Sequence, residues 1–237
     1  FYIDAAISRN PRSQQLRFNK AFTFFLLKKY KEGWQAYEAR LSQEINEAPK
    51  RLINIPRWKH EPLKNKTILV CSEQGVGDEI FFSAYVTKLA TMAEHVIIET
   101  DPRLVSLFSR SFKHLEVYSY SRRISGNQPL YNYSWLKKCT KYPDLFVDVA
   151  SLPYFLEETH QKPVTTTPHL QGDINVTKAW KDKLKSMVGE KPILGLFWRS
   201  GLNTSARKHF YPTIDLWEPI LSLKNVAFLS LQFDDDS

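Results

Sequence analysis

The chain has 237 residues, with 33 Lys+Arg against 25 Asp+Glu and a formal net charge of +8. Apolar residues at 43% and charged residues at 24% exclude wholesale disorder, and no apolar run approaches the roughly 18 residues of a membrane-spanning helix. Two cysteines, Cys71 and Cys139, are too few for a disulfide scaffold and fit a reducing, cytoplasmic setting.

Asn10-Pro11-Arg12-Ser13 is turn chemistry with Ser13 as a helix N-cap. Leu16, Ala21, Phe24, Phe25 and Leu27 then recur near helical spacing. A second helix from Tyr30 sets Trp34, Tyr37 and Leu41 on one face. Residues 1–47 therefore read as a helical hairpin. Tyr30, Tyr37 and the preceding Asn-Pro sit as in a tetratricopeptide repeat, which the hairpin resembles, with Gly33 where that repeat normally has alanine. One hairpin cannot bury both its faces, so further repeats are expected before Phe1. Pro49, Pro56 and Pro62 make 48–65 a linker, pinned by Trp58.

The period then changes. Strands are expected at 66–72, 95–100, 115–120 and 145–150, with helices at 79–92 and 102–112 and an irregular aromatic segment at 125–142. This α/β alternation predicts a parallel, Rossmann-like sheet covered on both faces, over 66–175. A helix bearing Trp180, Leu184 and Met187 leads into a second set: strand 193–198, loop 199–212, helix 213–223, strand 226–232. Residues 176–237 are thus an interdomain helix and the start of a second Rossmann-like domain, truncated.

Two loops carry the chemistry. In Gln74-Gly75-Val76-Gly77-Asp78 the glycines permit a tight turn and close backbone approach at a helix N-terminus. As a dinucleotide fingerprint it fails at Ile80, although Glu99 ends the next strand where a ribose contact would be. Asp78 has two readings: a helix-capping acid, or a carboxylate at the strand's carboxyl end that takes a proton from an acceptor hydroxyl. The second loop gathers Arg199, Ser200, Gly201, Thr204, Arg207 and Lys208. Its arginines suit a diphosphate, and the alternative is a solvated basic loop. His209 beside Phe210 and Tyr211 reads as structural before catalytic. Tyr131, Tyr133 and Trp135 suit either stacking on a sugar or packing under a long loop. Metal-ligand spacing is absent, and so is any zinc-finger or RNA-recognition signature, so neither a metal nor nucleic acid is expected.

Taken in order, Lys31-Glu32-Gly33-Trp34, Tyr37-Glu38, Arg40, Pro56-Arg57-Trp58, Lys66 to Val70 and Ser72 to Asp78 resemble bacterial tetratricopeptide-repeat proteins with a glycosyltransferase-like domain. Ala150-Ser151-Leu152-Pro153, Trp198-Arg199-Ser200-Gly201 and Leu229 to Gln232 extend the likeness over nearly the whole chain. The Gly77-Asp78 loop also resembles that of the lipopolysaccharide heptosyltransferases, and the chain as a whole resembles the heptosyltransferase and O-GlcNAc-transferase-like group. The resemblance implies a GT-B architecture of two Rossmann-like domains facing a cleft, with no cofactor and no obligatory metal. It implies a nucleotide-sugar donor held by the second domain, a protein or glycan acceptor, and Asp78 as base. A protein partner on the hairpin is a further expectation. The competing expectation is a non-catalytic scaffold on a degenerate glycosyltransferase fold.

Overall fold

The computed structural model describes residues 2–126, 128–156, 168–199 and 211–232. They divide into two compact units, Phe1–Gly172 and Asp173–Ser237.

The first unit opens with helices α1 (Tyr2–Arg9), α2 (Gln14–Leu26) and α3 (Tyr30–Tyr37). Ser13 caps α2 as its residue type dictates, its Oγ accepting from the Leu16 amide at 3.2 Å. Helices α2 and α3 close on aromatic rings, with Phe25 and Trp34 centroids 4.6 Å apart and Phe25 and Tyr37 at 6.0 Å. Gly33 lies directly under the Phe25 ring, where a Cβ would collide with it. Glycine at this position therefore has a steric cause. Gly33→Ala is expected to lower stability by about 1 kcal/mol in urea unfolding, because overpacking outweighs the gain in helix propensity.

Ala21, Trp34 and Tyr37 belong to the same buried cluster as Ile68 and Val70 of the sheet. The hairpin is therefore continuous with the α/β core. The segment expected as a linker is also built in. Its β1 (Lys50–Leu52) is a strand, and Trp58 is fully buried with its indole N–H donating to the Glu61 carbonyl at 2.8 Å.

Strands β2 (Thr67–Cys71), β3 (His95–Thr100), β4 (Glu116–Ser119) and β7 (Leu145–Asp148) form one parallel sheet in the order β4-β3-β2-β7. The strand order is Rossmann-like: it runs outward from β2 and reverses between β2 and β7. Alternate residues of β2 face different layers. Ile68 and Val70 meet α4 (Val76–Phe82), α5 (Val86–Ala90), α6 (Val105–Ser111) and α7 (Leu152–Leu156) through Phe82, Leu89, Phe108 and Leu152. Leu69 and Cys71 meet Ile55, Tyr131, Tyr133, Trp135 and Leu136. The second face is thus covered by the aromatic segment, including a 3-10 turn over Ser134–Lys138, and not by α-helices. That segment is regular where irregularity was expected: β5 (Ser121–Ser125) and β6 (Gln128–Asn132) pair antiparallel, and β1 joins β6 in parallel. The aromatic cluster packs, with Tyr131 only 1% exposed.

In the second unit, α8 (Ile174–Val188) begins at Asp173, whose carboxylate accepts from the Asn175 and Val176 amides at 3.0 Å. Strands β8 (Ile193–Leu196) and β9 (Ala227–Ser230) pair in parallel, with short helical turns at Ile214–Trp217 and Glu218–Leu221. The helix expected over 213–223 is therefore shorter and begins as a 3-10 turn. Among the described residues no helix is long and apolar enough to cross a membrane.

Candidate active site

Ligands of open parallel sheets bind outside the carboxyl ends of the strands, where the strand order reverses. In the first unit that point lies beyond Cys71 of β2 and Asp148 of β7, which pair directly. The protein's own charges occupy it. Glu73 accepts from Arg40 twice, at 3.0 Å from Nε and 2.6 Å from Nη2, and from the Ala150 amide at 3.0 Å. Arg40 also donates to Ser151 Oγ at 2.9 Å and to Glu38 at 2.8 Å. Both partners of the Arg40–Glu73 pair are nearly sealed from solvent, at 4% and 2% exposure. Burial works against the Arg40 charge, but Glu73, Glu38 and Asp148 hold it firmly protonated.

Arg51 makes a second clasp from β1. It donates to Asp148 Oδ1 at 2.9 and 2.7 Å, to the Ser72 carbonyl at 2.8 Å and to the Tyr133 hydroxyl at 2.7 Å. Glu99 shares it at 3.5 Å. Arg57 closes the other side of Asp148 at 3.1 Å and reaches Glu38 at 2.7 Å. Burial raises the Asp148 carboxyl, yet Arg51 and Arg57 more than offset it, and the net direction is down. Glu99 goes the other way: burial outweighs Arg51 and pushes it up to about 7. Burial likewise pushes the Cys71 thiol well up, which leaves it chemically inert. Glu99 is 2% exposed and tied to the Ser72 amide, so it is not available to a ribose and the dinucleotide reading loses its acid.

The glycine loop stands at the same edge and is exposed. Asp78 is in the first turn of α4, and its Oδ2 accepts from the Gly75 amide at 3.0 Å. The capping reading of Asp78 is therefore realised, and the exposed carboxylate also faces solvent where a substrate can reach it. A Cβ on Gly75 would come within 3.3 Å of that carboxylate oxygen, whereas one on Gly77 would meet nothing within 4 Å. Gln74 has a left-handed backbone, φ +63°, and its amide donates to the Tyr37 hydroxyl at 2.7 Å. Behind the loop, Glu79 is buried and accepts from Ser72 Oγ, Thr100 Oγ1 and the Asp101 amide at 2.7, 2.6 and 2.9 Å, bracing β2 against β3.

In the second unit, Arg199 follows β8, and its carbonyl accepts from the Gln232 side chain beyond β9 at 3.1 Å. That places it at the carboxyl edge of the β8–β9 pair. Ser200, Gly201, Thr204, Arg207, Lys208 and His209 lie outside the described residues. Among the described residues no group of His, Cys, Asp and Glu side chains is gathered as a metal site needs.

The buried network of Arg40, Arg51, Glu73, Glu99 and Asp148 was the feature the sequence reading missed. Its signal was present in β3 and β7, where HVIIET and LFVD each carry an acid in an otherwise buried run. An ionisable group in such a strand needs a partner.

No protein-family model matches the chain, and no solved structure matches it significantly. Among curated proteins it is similar to protein FlbA of Caulobacter vibrioides, at 28% identity over 243 residues. The likeness covers 97% of this chain, and the chain spans 39% of that relative's length.

Proposed function

We propose that the chain carries a glycosyltransferase of GT-B type, moving a sugar from a nucleotide-sugar donor to an acceptor hydroxyl. The observation that carries this reading is the exposed glycine loop at the carboxyl end of β2, with Asp78 anchored by one oxygen at its tip. Asp78 takes the acceptor's proton as the hydroxyl oxygen attacks the anomeric carbon. The bond from that carbon to phosphate breaks, and the nucleoside diphosphate leaves. Arg199, with Ser200, Gly201, Arg207 and Lys208, supplies the positive charge and donors that stabilise the departing diphosphate. The acceptor is a protein or glycan hydroxyl, and the setting is cytoplasmic.

Calorimetric titration with a panel of nucleotide sugars tests the donor side. Binding is expected, with loss on Arg199→Ala. In a transfer assay Asp78→Asn is expected to cut turnover by about 100-fold or more, the usual weight of a general base. The same change keeps an oxygen that accepts from the Gly75 amide, so stability is expected to fall by less than about 1 kcal/mol. Full turnover in Asp78→Asn would remove the base assignment.

The observation favouring the second reading, a non-catalytic interaction protein, is the filled edge itself. Arg40 and Arg51 occupy the point where open sheets take their ligands. A flat titration with every nucleotide sugar would favour this reading.

A further inference from the structure

Glu73 and Gln74 are the residues that lead from β2 into the glycine loop, and each is held by a hairpin side chain. Arg40 grips the Glu73 carboxylate with two nitrogens, at 3.0 and 2.6 Å. Tyr37 accepts from the Gln74 amide at 2.7 Å. Glu38 completes the set, holding Arg40 at 2.8 Å and Ser151, on the far side of the crevice, at 2.7 Å.

Gln74 shows why the grip matters. A residue with a Cβ resists the left-handed region by roughly 1 kcal/mol, so φ +63° at Gln74 persists only where surrounding contacts over-determine it. Gly75, which follows directly and precedes α4, sets no conformation of its own. The Asp78 carboxylate reaches back into the loop at the Gly75 amide. Gln74 therefore places the Gly75 amide that the Asp78 carboxylate accepts from, while α4 carries Asp78 itself.

We infer that the helical hairpin fixes the conformation of the glycine loop, with Arg40 and Tyr37 as positioning residues. The hairpin is then a working part of the loop and not only a place for partners to dock. The consequence for Asp78 as a base rests on the glycosyltransferase reading. The positioning itself does not, and a flat nucleotide-sugar titration would leave it standing.

The test is hydrogen exchange on the whole chain, comparing amides 75–79 with those of β2 and β3. Tyr37→Phe removes one oxygen at the rim of the core and keeps the ring packing, so it decides the matter even when a change at Arg40 fails to fold. The loop amides are expected to exchange at least about fivefold faster in Tyr37→Phe, which removes both hydrogen-bond contacts of the Tyr37 hydroxyl with the Gln74 side chain, while β2 and β3 stay within about twofold. Gln74→Ala is expected to do the same, and the double variant Tyr37→Phe/Gln74→Ala no more than either alone. Unchanged loop exchange, a sheet that speeds up by the same factor, or additive effects in the double variant would each overturn the inference.

Discussion

Replacing Arg51 with methionine is expected to cost about 3–5 kcal/mol of stability, measured by urea unfolding at neutral pH. The side chain is buried, and its removal leaves Asp148 and Glu99 in a low-dielectric interior without their shared cation. The Ser72 carbonyl and Tyr133 hydroxyl lose their donor in the same step. Arg57 is the internal control. It also pairs with Asp148, but its side chain is 30% exposed and water screens what remains. Arg57→Met is therefore expected to cost markedly less. Equal costs for the two would mean that the clasp at β1 contributes no more than a surface pair. Replacing both partners of a buried pair often restores stability, so Arg51→Met with Asp148→Leu should recover part of the loss.

Glu99→Gln is expected to stabilise the protein at alkaline pH. The carboxyl is raised from 4.5 to about 7 by burial, which outweighs the attraction of Arg51. A raised acid binds more protons folded than unfolded, so wild-type stability falls as pH rises from 4.5 through 7. Glutamine has the shape of the protonated acid and no charge to bury. Its advantage over wild type should be greater at pH 8 than at pH 5 by about 2 kcal/mol. The groups facing Glu99 are Arg51 from β1, Tyr133 and Cys71, with the Ser72 amide and Glu79 nearby. Among the described residues its Oε1 has no hydrogen-bond partner, which is why the charged form is poorly supported. A pH-independent difference between the two proteins would place the proton elsewhere. Asp148 has the opposite sign: its depressed carboxyl stabilises the fold above the ordinary aspartate range, and that contribution is lost as pH falls through the folded value.

The parts of the fold that sequence shows are those whose reason is local. Apolar runs such as TILVC and HVIIET are buried on both faces and read as strands without knowledge of their neighbours. Ser13 announces α2 by its own side chain. β1 is different, since Lys50-Arg51-Leu52 has one apolar residue in three and is a strand only because Leu130 to Asn132 lies beside it. β5 is exposed along its whole length and has Ile124 as its one apolar residue, so no periodicity marks it. Tyr131, Tyr133 and Trp135 are spaced by two along the chain, the period of one strand face, yet only Tyr131 lies in β6 and Trp135 packs from a 3-10 turn over Ser134–Lys138. At the site, Asp78 and the glycine loop were legible from residue type, whereas Glu73 was not, because its partner is 33 residues away on another element. Charge inside an apolar strand says that a counter-charge exists but not where.

The pairing of β1 with β6 bears on how the chain acquires its structure. Lys50 and Leu130 are register partners across about 80 residues, and β6 in turn leans on β5. Closing so long a loop is slow compared with forming the hairpin or the β2–β3 pair, so β1 docks late. Until it does, Glu99 and Asp148 remain hydrated, and Arg51 arrives with the strand that seals them. The carboxylates and their cation then leave water in one cooperative step, which avoids an intermediate carrying naked buried charge.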